Sequence, residues 1–350
     1  VEEIDQQNKA QGAGVMKSKY WSTIFKILSS VLILWLLFRN VSFDIEDFWA
    51  AWQSLRGWYL VLVLPVVLVV LAVKGYRWKM LLHSDGYQYS TRRAIRAYLA
   101  AYSVGVVTPG RLGELIKVYD ARHHIQGIDG MAALRSVVLD RLFDMFFLSW
   151  FGLAGLFFYF KVFSAFSPLL LLAVTFVILL LALFLCFLIL KLITKKLKHD
   201  SKVLSFLIRC MDQMLDRKNW YIWLFTALAY AIFFGGIQLL FYSLNIQISF
   251  LESGFIISLI GLILLLPISI AGFGTREAGL IYLLAFYGIS AETAISFSLL
   301  QFLTFFVWGG LIGLYFWYSS GIPLALVKED FRKISRRFGR KSGEKDLKSK

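Results

Sequence analysis

The apolar run Ala97 to Val107 is followed at once by Thr108-Pro109-Gly110-Arg111-Leu112-Gly113-Glu114-Leu115-Ile116-Lys117. As a helix, that run rises only ~16 Å, about half of a ~30 Å hydrocarbon core. Proline removes a backbone donor and glycine tolerates a turn, so the helix stops at Thr108-Pro109-Gly110. Both flanks are basic. Lys74, Arg77, Lys79, Arg92, Arg93 and Arg96 precede the run against a single Asp85, and Arg111, Lys117 and Arg122 follow it. A segment too short to cross, with like charge on both sides, reads as one that enters the membrane, breaks and returns.

Composition supports a membrane setting. The chain is 59% apolar and 17% charged, with a mean hydropathy of +0.68, whereas soluble domains are near half apolar and about a quarter charged. Apolar blocks at about 21–38, 58–73, 94–107, 131–160, 167–190, 220–243, 254–271, 277–288 and 294–318 are mostly long enough to span a bilayer as helices. The alternation of a transmembrane barrel is absent. The expected fold is an all-α polytopic membrane protein.

The net charge of +15 is not spread as a nucleic-acid footprint. It concentrates at 74–96, at 191–218 and in the tail from Lys328, while 39–57 carries Asp44, Glu46 and Asp47, and 244–253 carries Glu252 and no base. Basic loops face the cytoplasm. This places both termini inside a cytoplasmic (inner) membrane and gives six full crossings plus two broken hairpins in an inverted-repeat arrangement. A polar leader (1–19), a membrane domain (20–320) and a basic tail (321–350) are expected. The stretch 201–216 spaces Val203, Phe206, Leu207, Cys210, Met211 and Met214 at helical intervals, for either the membrane surface or the bundle. Cys186 and Cys210 suggest neither a disulfide nor a metal site, and His123-His124 reads as solvated loop.

The second broken hairpin contains Pro267-Ile268-Ser269-Ile270-Ala271-Gly272-Phe273-Gly274-Thr275-Arg276-Glu277. Like the first, it offers proline, glycines, an arginine and a glutamate after an apolar helix. Paired interrupted segments in two halves of a membrane protein point to a transport site. Each break frees backbone groups, and each restarting helix aims N–H groups and a positive dipole end at anions. Arginine can hold a phosphate in two parallel hydrogen bonds. The candidate substrate-binding residues are therefore Thr108, Pro109, Gly110, Arg111, Gly113, Glu114, Lys117, Gly272, Gly274, Thr275, Arg276 and Glu277. The glutamates would serve as counter-ions or amine ligands; alternatively, each Arg–Glu set is a salt bridge that pins a kink. A third feature, Asp140-Arg141-Leu142-Phe143-Asp144, puts both aspartates on one helix face with Arg141 in reach of Asp144. It reads as a supporting ion cluster that clamps the first hairpin. The stripe Ala97, Ala101, Gly105 and the pair Gly309, Gly313 suit close helix packing.

These three stretches, in this order, resemble the lysylphosphatidylglycerol synthase transmembrane (flippase-like) family over roughly residues 20–320. The resemblance implies a membrane domain that moves lipids between leaflets, without the soluble aminoacyl-transfer domain of its multidomain members. The family more often has glutamate where this chain has Asp140. The expected substrate is an anionic or aminoacylated phospholipid or a polyprenyl phosphate. The other reading is a non-transporting lipid-binding subunit beside a lipid-modifying or glycosyl-transfer enzyme. No catalytic cluster, metal set, cofactor motif or nucleotide-binding loop is evident, so no enzymatic activity and no nucleic-acid partner are expected. Self-association is left open.

Overall fold

The computed structural model describes residues 43–108, 113–197, 202–265, 269 and 272–323, with the single positions 28, 32, 35, 39, 325–327 and 329. Every regular element among them is helical, as an apolar chain without water to satisfy its backbone requires. In order these are α1 (Ile45–Gln53), α2 (Gly57–Ser84), α3 (Thr91–Val107), α4 (Leu115–His124), α5 (Gly130–Tyr159), α6 (Pro168–Leu197) and α7 (Lys202–Leu215). Then follow α8 (Trp220–Ser243), α9 (Phe250–Leu265), α10 (Thr275–Ala285), α11 (Ala291–Gln301) and α12 (Gly309–Ser320). A π-helical turn, Phe302–Trp308, joins the last two.

Five stretches are long and apolar enough to cross a membrane: Gly57–Ser84, Gly130–Tyr159, Pro168–Thr194, Arg217–Ser243 and Ala291–Ser320. The sixth expected crossing, block 21–38, lies mostly outside the described residues; Leu28, Leu32 and Trp35 within it are helical and exposed. Asp44, Asp129 and Ser290 cap α1, α5 and α11 by accepting N–H groups of Glu46, Ala132 and Thr293, which fixes where those helices begin.

Both expected hairpins form. α4 returns antiparallel along α3, with Gly113 pressed against Ala101 and Gly105. A Cβ on Gly113 would lie 2.1 Å from the Gly105 nitrogen and 2.3 Å from the Ala101 carbonyl oxygen, so the small-residue stripe on α3 receives the returning backbone. On the other side of α3, Gly313 of α12 would meet the Leu99 carbonyl oxygen at 2.3 Å. The second hairpin, α9 and α10, is anchored on α5: Gly152 and Gly155 admit Leu262 and Phe255, and Gly261 admits Leu148.

Two sequence expectations change, and one open alternative is decided. The basic stretch 74–84 is not loop, because α2 continues to Ser84; Trp78, Leu81 and Leu82 bury fully and carry the helix on. His123 and His124 are the last residues of α4, their Nδ1 atoms on the carbonyls of Tyr119 and Asp120. Cys210 is buried with Met214 against Leu81, Leu139 and Phe143, while Val203 and Leu207 of the same helix are exposed. α7 therefore packs on the bundle with one face and leaves the other uncovered. Burial raises the Cys210 thiol to about 11, so it is an inert packing group.

Gly113→Ala is predicted to destabilise by about 1–3 kcal/mol or more, because the α3 backbone that the new methyl would meet at Ala101 and Gly105 cannot move aside cheaply. Gly310→Ala, with nothing within 4 Å of its Cβ position, is predicted to be neutral or slightly stabilising. Thermal unfolding of the two variants in detergent measures the contrast.

Candidate functional site

Three helices each contribute a pair of ionisable side chains to one buried centre. The pairs are Lys74 and Arg77 on α2, Glu114 and Lys117 at the start of α4, and Asp140 and Asp144 on α5. Each is spaced i,i+3 or i,i+4 and so lies on one helix face. At the base, Asp140 Oδ1 accepts from Arg77 Nε at 3.0 Å and Nη2 at 2.5 Å, and Oδ2 accepts from Lys117 Nζ at 2.9 Å. Arg77, Lys117 and Asp140 are all 0% exposed. Arg77 Nη1 also reaches Asp144 at 2.8 Å and the Thr226 hydroxyl at 3.2 Å. The Lys117 ammonium lies 4.5 Å from the Tyr98 ring centre and 5.7 Å from that of Trp78, a favourable cation–π placement.

The rim is more open. Lys74 pairs with Asp144 at 3.0 Å, Lys117 with Glu114 at 2.6 Å, and Arg141 with Glu114. The expected Arg141–Asp144 contact is long, at 3.7 Å; Arg141 reaches instead to the first hairpin. The Asp140/Arg141/Asp144 set thus meets the first break through Arg141–Glu114 and Lys117–Asp140, the geometry of a clamp. Tyr230 steadies it by donating to the Asp144 carbonyl oxygen at 2.8 Å. Among the described residues the cluster holds four cations (Lys74, Arg77, Lys117, Arg141) and three carboxylates (Glu114, Asp140, Asp144).

At the second break Gly272 and Gly274 have φ of 83° and 85°, a conformation that glycine alone adopts without strain. The chain then restarts as α10, and the Glu277 carboxylate turns back over the helix N-terminus. Its Oε2 accepts from Gly274 N at 2.7 Å, and its Oε1 accepts from Arg276 Nη2 at 2.8 Å and from the Ser298 hydroxyl at 2.6 Å. Arg276 Nε also donates to Ser298 at 2.8 Å. The guanidinium lies beside the neighbouring rings of Phe273 and Phe302, 5.9 and 5.5 Å from their centres. Thr275 donates to the Gly272 carbonyl at 3.1 Å. One carboxylate is thus held by a backbone N–H, a guanidinium and a hydroxyl.

Among the expected site residues, Glu114 and Lys117 meet the α5 cluster, while Thr108 and Gly113 shape the hairpin, the Gly113 N–H donating to the Thr108 hydroxyl at 3.3 Å. Gly272, Gly274, Thr275, Arg276 and Glu277 form the second set. Pro109, Gly110 and Arg111 lie outside the described residues. No hydrogen bond or ion pair joins the two sets among the described residues. In depth they converge, since Gly261 of α9 packs on Leu148, one turn beyond Asp144. Lys74, Arg77, Thr226, Tyr230 and Ser298 were not anticipated. The first two were detectable: the i,i+3 spacing of Lys74 and Arg77 continues the helix of the preceding apolar block, and apolar Trp78, Leu81 and Leu82 follow them. No group of three His, Cys, Asp or Glu side chains suited to a metal occurs among the described residues.

Asp140→Asn is predicted to cost about 3–5 kcal/mol, because it leaves two fully buried cations short of their shared carboxylate. Arg141→Gln, at the half-open rim, is predicted to cost clearly less. Comparing the thermal unfolding of the two variants tests which end of the cluster carries the structural burden.

No curated protein matches the chain. A family model does: that of the lysylphosphatidylglycerol synthase TM region, over residues 23–313. The match includes both broken hairpins and the α5 cluster. The chain is a multi-pass membrane protein of the lysylphosphatidylglycerol synthase transmembrane family.

Proposed function

We propose that this protein is a lipid transporter of the flippase type, moving a phospholipid or a polyprenyl-phosphate-linked lipid between leaflets, with the phosphate held at the two breaks. The observation that carries this reading is the charge count at the first break: among the described residues, four cations stand against three carboxylates in a membrane domain. A buried net charge is costly and calls for a partner. A phosphate at the Lys74–Arg141 rim supplies one, and Arg111 follows in sequence at the same break. The family's membrane-lipid setting narrows that anion to a lipid headgroup.

The second break supports the same chemistry. Glu277 occupies the place that a phosphate oxygen would take, over the N-terminus of α10 and against Arg276 and Ser298. Helix N-termini and guanidinium groups both favour phosphate. The carboxylate keeps this site neutral when it is empty and gives way when a headgroup arrives. The headgroup would pass from one set to the other while the acyl chains stay in the bilayer. On this reading the protein catalyses no covalent step and needs no cofactor. On this reading both termini lie on the cytoplasmic side of the inner membrane, the side that basic segments favour.

In proteoliposomes with headgroup-labelled phospholipids or polyprenyl phosphates, wild-type protein is expected to speed leaflet exchange. Lys74→Gln, Arg111→Ala and Arg276→Ala are each expected to slow it by roughly 10–100-fold, the loss of one charge-assisted contact of about 1.5–3 kcal/mol. Exchange that ignores all three substitutions would contradict the assigned roles. No exchange of any lipid by folded wild-type protein would favour the other reading, a lipid-binding subunit that partners a lipid-modifying enzyme.

A further inference from the structure

Away from both breaks, α3, α4 and the end of α12 enclose a recess of about 150 Å³, roughly the liquid volume of five waters. α3 lines it with Arg93 and Arg96, and α4 with Asp120 and His124. It is separate from the first-break cluster. Ile116 of α4 faces the recess while Lys117 faces Asp140, and Ala97 of α3 faces it while Tyr98 faces Lys117. The hairpin therefore has an ionic face toward α2 and α5 and a second polar face toward α12.

The second face has a positive surplus. Arg93 and Arg96 are exposed and form no ion pair among the described residues. Asp120, the one carboxylate lining the recess, is buried and already engaged: Tyr89 donates its hydroxyl to Oδ2, and His124 Nδ1 lies 3.4 Å from Oδ1. Burial, and then the charge of Asp120, raises the Tyr89 phenol, which keeps it a donor to that carboxylate. The hydroxyls of Ser319 and Ser320 donate to their own helix, at the carbonyls of Phe316 and Trp317. The two guanidinium groups are left as the available donors.

Depth and polarity identify the ligand class. Beside these polar groups the lining includes apolar Ala97, Ala100, Ile116 and Ile322, so the recess suits an amphiphile. Tyr315 and Tyr318 on the last turns of α12 are 69% and 88% exposed. Exposed tyrosines near the end of a spanning helix mark the headgroup layer. Arg93 and Arg96, without an ion pair among the described residues, line the recess beside that end of α12, where lipid phosphates would stand.

We propose that this recess is a separate binding site for the phosphate group of an anionic phospholipid, held by Arg93 and Arg96, whichever lipid the breaks carry. The test is lipid retention by the purified full chain, counted by native mass spectrometry after passage through nanodiscs of phosphatidylcholine with or without phosphatidylglycerol. Wild-type protein is expected to keep one more phosphatidylglycerol than the Arg93→Gln/Arg96→Gln variant, with equal phosphatidylcholine. The Arg93→Lys/Arg96→Lys variant should keep it in part, since it retains the charge and loses the planar fork. Arg92→Gln, exposed one position away but outside the recess, should lose nothing. Displacement of the extra phosphatidylglycerol by millimolar glycerol phosphate would assign the site to the phosphate group alone, whereas resistance would assign it to the whole lipid; either supports the proposal. Equal phosphatidylglycerol retention by wild type and the double glutamine variant would overturn it. So would an equal loss in Arg92→Gln, which would reduce the effect to general surface charge.

Discussion

The shared carboxylate of Asp140 is the interaction on which the membrane domain depends. It is 0% exposed and receives Arg77 from α2 and Lys117 from the first hairpin. Without it, two fully buried cations would each lose a carboxylate and keep only Asp144 and Glu114 near the rim, which costs more than the pair gains when complete. Three elements distant in sequence are thereby fixed in register, and α4 is held against α3 at the one place where a glycine lets backbone meet backbone. At the described edges of the break, the Gly113 N–H meets the Thr108 hydroxyl and the Glu114 carboxylate meets Lys117 and Arg141, so polar groups there are met by protein rather than by lipid. The charge cluster and the interrupted helix are one solution to one problem.

The two breaks handle charge differently. Among the described residues the first gathers four cations and three carboxylates and leaves its rim of Lys74, Glu114, Arg141 and Asp144 half-open. The second is balanced among the described residues, with Arg276 and Glu277 satisfying each other and Ser298, and two adjacent aromatic rings beside the guanidinium. A lipid phosphate would add to the first set but must displace Glu277 from the second. That asymmetry gives the two proposed sites unequal occupancy at rest, which is what a path with two stations needs if the headgroup is to move on from the first.

Much of this was legible in the sequence. Apolar block length located all the described spans, and a run too short to cross with basic flanks located the first hairpin. The paired Pro/Gly interruptions located the second, where Gly272 and Gly274 indeed need positive φ. What sequence could not supply was partner choice. Arg141 lies within reach of Asp144 by spacing, yet it extends to Glu114, twenty-seven positions earlier, because α4 brings a carboxylate closer than the helix's own. Lys74 and Arg77 were assigned to a loop because positive charge after an apolar block usually marks the membrane edge. Here the helix continues, and the charges turn inward to meet two aspartates. Ser298 carries no signal of its own; only the return of α11 beside α10 gives it a role.

The central claim is that the surplus cation at the first break is balanced by a lipid phosphate. It is tested most directly by solid-state NMR recoupling between lipid ³¹P and side-chain ¹⁵N in the reconstituted protein, with lysine and arginine labelled separately. The account predicts a close ³¹P contact with a lysine nitrogen that disappears in Lys74→Gln, together with an arginine contact that weakens in Arg141→Gln. A lysine spectrum with no phosphorus contact beyond that of the Lys74→Gln variant, in lipids that the protein moves, would contradict it.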